Sequence, residues 1–436
     1  MTFAAGARLV VLPVTAAAAL GTARVTVDAT GIELYGYVAL IGQLFMLFTF
    51  SDLGIGAAIT RAVARENESP QDAAVAEATV WRGWTVLAVA ALAGVLLVSV
   101  VGMTVGWDTL LGIPEPHGAA ANAATTGALC LFLAFLPVSS ARRVLVGQGR
   151  STLLALMGVI PPLVGLAVAA GLAVADAPAF AFALAPTVGM AAYDVACMAV
   201  ASRRGAARDA WRRLGRRAAR PALPNVRIGA VASSMLVLTV ANAALIQGSR
   251  IVLAHRGDAA ELTEYSLVLQ LYLPLWSVIY MASTVLWARF AVREPGRAEA
   301  WRANAALAGL AAGAGIGLVV LGPWLTRFMS GGRVDVHAGV FLACAALLVV
   351  VGANATQAMW FTDAPGLRFQ AVCGVAAVAV ALPLAWALIG PLGASGAALA
   401  SAAAALAAQT VPGWRRAWRR TPAETGGLSA NAGGAA

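Results

Sequence analysis

The sequence predicts an all-α integral membrane protein of about twelve transmembrane helices, arranged as two pseudo-symmetric six-helix bundles. Three observations carry this. Of 436 residues, 60% are hydrophobic and only 11% charged, and a mean hydropathy of +0.80 excludes a water-soluble domain of this length. Apolar runs recur along the whole chain. Residues 31–66 also align with residues 259–294 without a gap, their charges in register. Glu33 aligns with Glu261, Leu34 with Leu262 and Tyr37 with Tyr265, while Arg61, Arg65 and Glu66 align with Arg289, Arg293 and Glu294.

A helix needs about 20 apolar residues to cross a hydrocarbon core. That rule places spans at 5–25, 36–59, 80–104, 120–140, 152–174, 179–201, 228–251, 266–288, 303–327, 338–360, 369–389 and 392–411. Gly and Pro mark the joins, as in Gly112-Ile113-Pro114, Asp176-Ala177-Pro178 and Asp363-Ala364-Pro365-Gly366. The first span imitates a signal peptide, with Arg8 ahead of an apolar run, but its counterpart at 228–251 argues that it is retained.

Twelve spans put both termini on one side, and the arginines test the count. All 30 basic residues are Arg, which with the Ala and Gly richness suggests a high-GC bacterial source. Only Arg24, Arg250, Arg256, Arg327 and Arg333 fall opposite the termini; the other 25 share their side. By the positive-inside rule the termini are cytoplasmic, in a bacterial inner membrane. This topology accounts for the net charge of +10, so nucleic acid is not an expected partner.

The repeat continues beyond the first hairpin. Trp81-Arg82 opens the third span as Trp301-Arg302 opens the ninth, and Arg150 precedes the fifth as Arg368 precedes the eleventh. Six spans separate equivalent helices, so the copies are parallel repeats about an axis along the membrane normal, an architecture common among transporters. The expected units are a bundle at 1–201, a basic linker at 202–227, a second bundle at 228–411 and a disordered cytoplasmic tail at 412–436. The linker carries Trp211, Leu214 and Ala218 at helical spacing amid arginines. It reads either as a basic helix on the anionic leaflet or as a solvated connection.

Leu34-Tyr35-Gly36-Tyr37 through Ser51-Asp52-Leu53-Gly54-Ile55-Gly56 and Arg61 resembles the second span of the oligosaccharide flippases. Pro391-Leu392-Gly393-Ala394-Ser395-Gly396 resembles their last span. That family belongs to the multidrug/oligosaccharidyl-lipid/polysaccharide exporter superfamily, and the resemblance runs from about residue 5 to 411. It implies two lobes around a central cavity that opens alternately to either side. The implied cargo is an oligosaccharide on undecaprenyl pyrophosphate, for O-antigen, capsule or exopolysaccharide. Glycan polymerases and glycosyltransferases are the implied partners, beside membrane lipids. Twelve spans fit this branch better than the fourteen of peptidoglycan-precursor flippases; the drug exporters also have twelve and stay as the alternative.

Charges at membrane depth cost about 2.5–3.5 kcal/mol on insertion scales, which makes them functional candidates. Asp52 and Asp194 each lie about 24 Å from the outer ends of their spans and are candidates for proton or cation coupling; Asp52 equally suits a structural helix end. Arg24 and Arg250 lie near the outer ends of equivalent helices, and Arg8 near the inner end of the first. An Arg fork matches pyrophosphate oxygens, against the alternative of snorkelling to headgroups. Asn242, Gln247 and Gln270 suit sugar hydroxyls. Tyr37 and Tyr265 fit an aromatic belt, and Tyr272 is a further polar candidate. Arg61, Arg65, Arg289 and Arg293 read as inner-leaflet anchors.

A membrane-embedded polymerase or glycosyltransferase would need reactive acids on a large outer loop. The outer connections are short, and Asp258, Glu261 and Glu264 form their only acidic cluster. Neither a nucleotide-binding Gly loop nor a Ser/His/Asp set appears. Cys130, Cys197, Cys344 and Cys373 stand singly in apolar runs, and the three His are isolated, so no metal or other cofactor is expected.

Overall fold

The computed structural model describes residues 2–45, 55–203, 229–290 and 295–420, with side chains from residue 11. The described chain is almost wholly helical. In the first half it forms α1 (Thr2–Thr30), α2 (Ile32–Gln43), α3 (Ile55–Ala64), α4 (Pro70–Thr104), α5 (Trp107–Leu111), α6 (Gly118–Ser139), α7 (Ala141–Gly147), α8 (Ser151–Met157), α9 (Ile160–Val174) and α10 (Ala185–Ala201). The second half forms α11 (Gly229–Arg256), α12 (Ala259–Phe290), α13 (Arg297–Ser330), α14 (Ala338–Trp360), α15 (Ala364–Leu392), α16 (Ala394–Ala405) and α17 (Val411–Arg420).

Ten helical segments among the described residues are long and apolar enough to cross a membrane. They coincide with ten of the expected spans; α1, and α2 with α3, occupy the other two. The helices overrun their apolar cores. The third span starts ten residues before its expected position, because the Ser69 hydroxyl caps the Asp72 N–H at 3.1 Å and Pro70 occupies the first turn. Residues 412–420 are helical rather than disordered: the last span runs from α16 through a π-helical turn at Leu406–Thr410 directly into α17. The basic linker expected at 202–227 lies, from residue 204 onward, outside the described residues, as do residues 421–436.

Burial follows the demands of lipid. On α4, Val80, Gly83, Leu87, Ala91 and Val98 are buried, while Val89, Leu92, Leu96 and Val100 form an exposed stripe at helical spacing. Gly83 is required for the inner contact, since a Cβ there would meet Ile55 and Ile59 at 2.8 Å. On α13, exposed Trp301 and Trp324 lie 23 residues apart, about 35 Å along a helix. That separation fits aromatic belts at the two faces of a bilayer.

The same helix pairings recur in both halves. In the first, α1 packs on α9, α4 on α6, and α10 on both α6 and α9. In the second, α11 packs on α15, α13 on α14, and α16 on both α14 and α15. Contacts between the halves run chiefly through α2 against α12 and α1 against α13.

Candidate functional site

The halves meet in a polar seam at the end that carries Gly31 and Gly257. The connections there are even shorter than expected. One residue, Gly31, separates α1 from α2, and its φ of 77° makes the reversal. Glu261 turns its carboxylate back to accept the Asp258 N–H at 3.2 Å, which gives the duplicated acid a structural role in the α11–α12 turn.

The closest approach is α2 against α12. The Gly36 N–H donates to the Thr263 hydroxyl at 3.0 Å, and that hydroxyl donates to the Ile32 carbonyl at 2.6 Å. A Cβ on Gly36 would lie 2.8 Å from the Thr263 backbone nitrogen, so the two helices touch only because residue 36 has no side chain. Tyr35, Ala23 and Val27 of the first half pack with Leu267, Met329 and Val334 of the second.

Arg24 and Arg250 each stand six residues from the end of their helix, yet their surroundings differ. Arg24 is 38% exposed and binds Asp28 at 2.7 Å. It also crosses the seam to donate to the Phe328 carbonyl at 3.1 Å. Its guanidinium occupies the space a Cβ on Gly331 would need, so it caps the negative end of α13. The other Asp28 oxygen binds Arg333 at 2.7 Å. These three charges form an exposed latch between the halves, in which each pair contributes about 0.2–1 kcal/mol.

Arg250 is fully buried. Its guanidinium donates to the Gln43 side chain at 3.0 Å, to Gln247 at 3.3 Å and to the Ser266 hydroxyl at 2.9 Å. Gln247 in turn donates to the Gln43 carbonyl at 3.2 Å. Among the described residues every acceptor is neutral, and the Arg250 Nε–H has none. Beside it, the hydroxyls of Tyr35 and Tyr265 are also buried without partners, as is that of Tyr272 next to Tyr265. Gln270 approaches Tyr35 from across the seam, outside hydrogen-bond geometry. A buried guanidinium balanced only by dipoles is costly, and it can form further strong bonds to an anion.

The seam therefore gathers Arg250, Gln247 and Gln270 and places Arg24 at its rim. It adds Gln43, Ser266 and Tyr35, which sequence reasoning missed. Gln43 had a readable signal, as an amide within an apolar run. Tyr37 and Tyr265 are buried here rather than forming an aromatic belt, because the halves close over them. Asn242 lies elsewhere, within the second half, where it accepts from Gln409 at 3.2 Å. Together with Asn354, Gln357 and Gln370 it lines a cavity of about 50 Å³, room for a few waters. Asp52 and the Arg8 side chain lie outside the described residues.

Asp194 is buried inside the first half and paired with Arg142 at 2.9 Å. The Arg142 guanidinium also stands 5.8 Å from the Tyr193 ring centroid. Asp194→Asn should lower stability by up to about 3 kcal/mol, the low end for a broken buried pair because Arg142 is partly exposed. Arg142→Gln in the same chain should restore much of that loss. A thermal melt of the purified variants checks both, and equal melts for Asp194→Asn and the wild type would remove the pair from the fold's support.

No protein-family model and no curated protein matches the chain. Solved structures do. The lipid II flippase MurJ in an inward closed conformation superposes with a TM-score of 0.68 at 13% identity, over 97% of this chain and 88% of that one. An inward-facing multidrug resistance MATE family transporter of the MOP superfamily gives 0.66 at 14%, over 95% and 98%. A MOP superfamily transporter from Pyrococcus furiosus gives 0.63 at 12%, over 96% and 95%. At such identities the likeness is one of fold, and the fold is that of the MOP superfamily transporters.

Proposed function

We propose that the chain flips an undecaprenyl-pyrophosphate-linked oligosaccharide across the bacterial inner membrane by alternating access, for O-antigen, capsule or exopolysaccharide synthesis. The observation that supports this reading is Arg250, a guanidinium buried between the halves whose partners among the described residues are all neutral. In the cycle, the bundles at 1–201 and 228–411 rock about the lipid while the seam stays shut on the outer side. When the seam parts, Gln43 leaves with the first half. Arg250 is then uncovered, and the pyrophosphate replaces the lost acceptor. Arg24, freed from the latch, offers a second fork at the rim, and Gln247 and Gln270 supply amides for sugar hydroxyls. Arg8 would meet the cargo on the cytoplasmic side.

Ion coupling in this reading passes through Asp194, whose carboxylate exchanges Arg142 for a proton or metal cation, with Asp52 as the second candidate. Glycosyltransferases that complete the lipid-linked unit and polymerases that consume it are the expected neighbours. A cationic drug would meet repulsion at Arg250, which weighs against the drug-exporter alternative.

Depletion of the protein tests the reading. Lipid-linked glycan should accumulate in the inner leaflet, and glycosyltransferase and polymerase genes should lie nearby. Normal glycan export combined with new sensitivity to cationic dyes would instead place the chain among drug exporters.

A further inference from the structure

A second concentration of Arg and aromatic residues lies at the far end of the second half, where the start of α13 meets α17. Arg297 is stacked 5.2 Å over the Trp418 ring and donates to the Trp418 carbonyl at 3.2 Å. Trp301 meets Trp414 edge-on at 5.8 Å. Arg416 turns the other way, 4.5 Å from the Phe369 ring, and is absorbed into the bundle. What remains outward is a two-part surface. Trp301 and Trp418 are 59% and 58% exposed. Trp414 and Trp418 are four residues apart and form one stripe of α17; Arg415 and Arg419 form the adjoining stripe. Arg302 adjoins Trp301 on α13 and, like Arg415 and Arg419, is exposed. Among the described residues no carboxylate pairs with any of these three.

We infer that this face binds the headgroup of an anionic phospholipid of the inner leaflet. The argument is complementarity in both parts of one ligand. Trp301 marks one belt of the roughly 35 Å ruler on α13, so the indoles sit at the depth where acyl chains meet headgroups. The guanidiniums beside them then stand at phosphate level, where each basic residue strengthens attraction to anionic lipid. A soluble acidic peptide would satisfy the charges and leave the indoles unexplained. The positive-inside distribution places this end in the cytoplasmic leaflet. The bound lipid would splint α17 to α13, two elements of the same half, and so would act independently of the outer seam.

The test is tryptophan quenching in the full-length protein reconstituted into phosphatidylcholine, titrated with brominated phosphatidylglycerol or brominated phosphatidylcholine. The brominated anionic lipid should quench at a mole fraction roughly an order of magnitude lower than the brominated neutral lipid. Arg415→Gln/Arg419→Gln should erase most of that preference, and Arg415→Lys/Arg419→Lys should keep it. Trp301→Phe/Trp418→Phe should remove the selective component while folding as before, which ties the signal to this face. Equal quenching by the two lipids, an unchanged preference in the Gln variant, or loss of preference on adding inorganic phosphate would each overturn the assignment.

Discussion

Arg250→Gln should reduce transport by roughly 10- to 150-fold while leaving the protein folded and abundant. The magnitude is that of one lost hydrogen bond to a charged group, about 1.5–3 kcal/mol. Arg250→Lys should fall between, because it keeps the charge and loses the planar fork. The companion measurement is stability. A guanidinium held only by Gln43, Gln247 and Ser266 leaves its Nε–H unmatched, and replacing buried charges with apolar groups of similar volume is often neutral or stabilising by about 1–4 kcal/mol. Arg250→Met should therefore melt no lower than the wild type. Both results together would identify a charge kept for its cargo. A sharp loss of stability with transport intact would make Arg250 a structural residue and remove the main support for the proposed flippase function.

The second large effect is expected at Gly36. A methyl group there would stand 2.8 Å from a backbone nitrogen of α12, an atom that cannot rotate aside. Overpacking of this kind costs about 1–3 kcal/mol, which moves a two-state equilibrium by roughly 5- to 150-fold. The strain exists only while the halves touch, so Gly36→Ala should populate the state in which the seam is open. A cysteine at Ala39, partly buried against the cluster in which the two halves meet, reports this once the four native cysteines are replaced. Its labelling by an impermeant maleimide from outside the cell should rise in Gly36→Ala. Unchanged labelling would mean that the α2–α12 contact does not set the balance.

The spans were legible because the bilayer imposes a length and a composition on every crossing, and ten of the expected positions carry a helical segment long and apolar enough to cross it. Helix ends were less so. The extra residues of α4 carry Gln71, Asp72 and Glu77 among alanines, too polar for a membrane core, and their helix starts at a cap formed by Ser69 and Pro70. The site was half legible. Arg24 and Arg250 look alike in sequence, each six residues from a helix end, but their exposure depends on what the opposite half presents. Arg24 finds a helix C-terminus and an aspartate; Arg250 finds a wall of neutral groups. Asp194 stood out as an acid in an apolar run. Its partner Arg142 is 52 residues away, indistinguishable in sequence from the other arginines at the span ends.

The two halves of the seam are not interchangeable. In the register that aligns residues 31–66 with 259–294, Gln43 corresponds to Leu271. A chain made of two copies of the second half would thus bury two guanidiniums, each facing a leucine where the native protein offers an amide at 3.0 Å. Two identical halves could not make this contact, since Arg250 binds an amide that only the other half supplies.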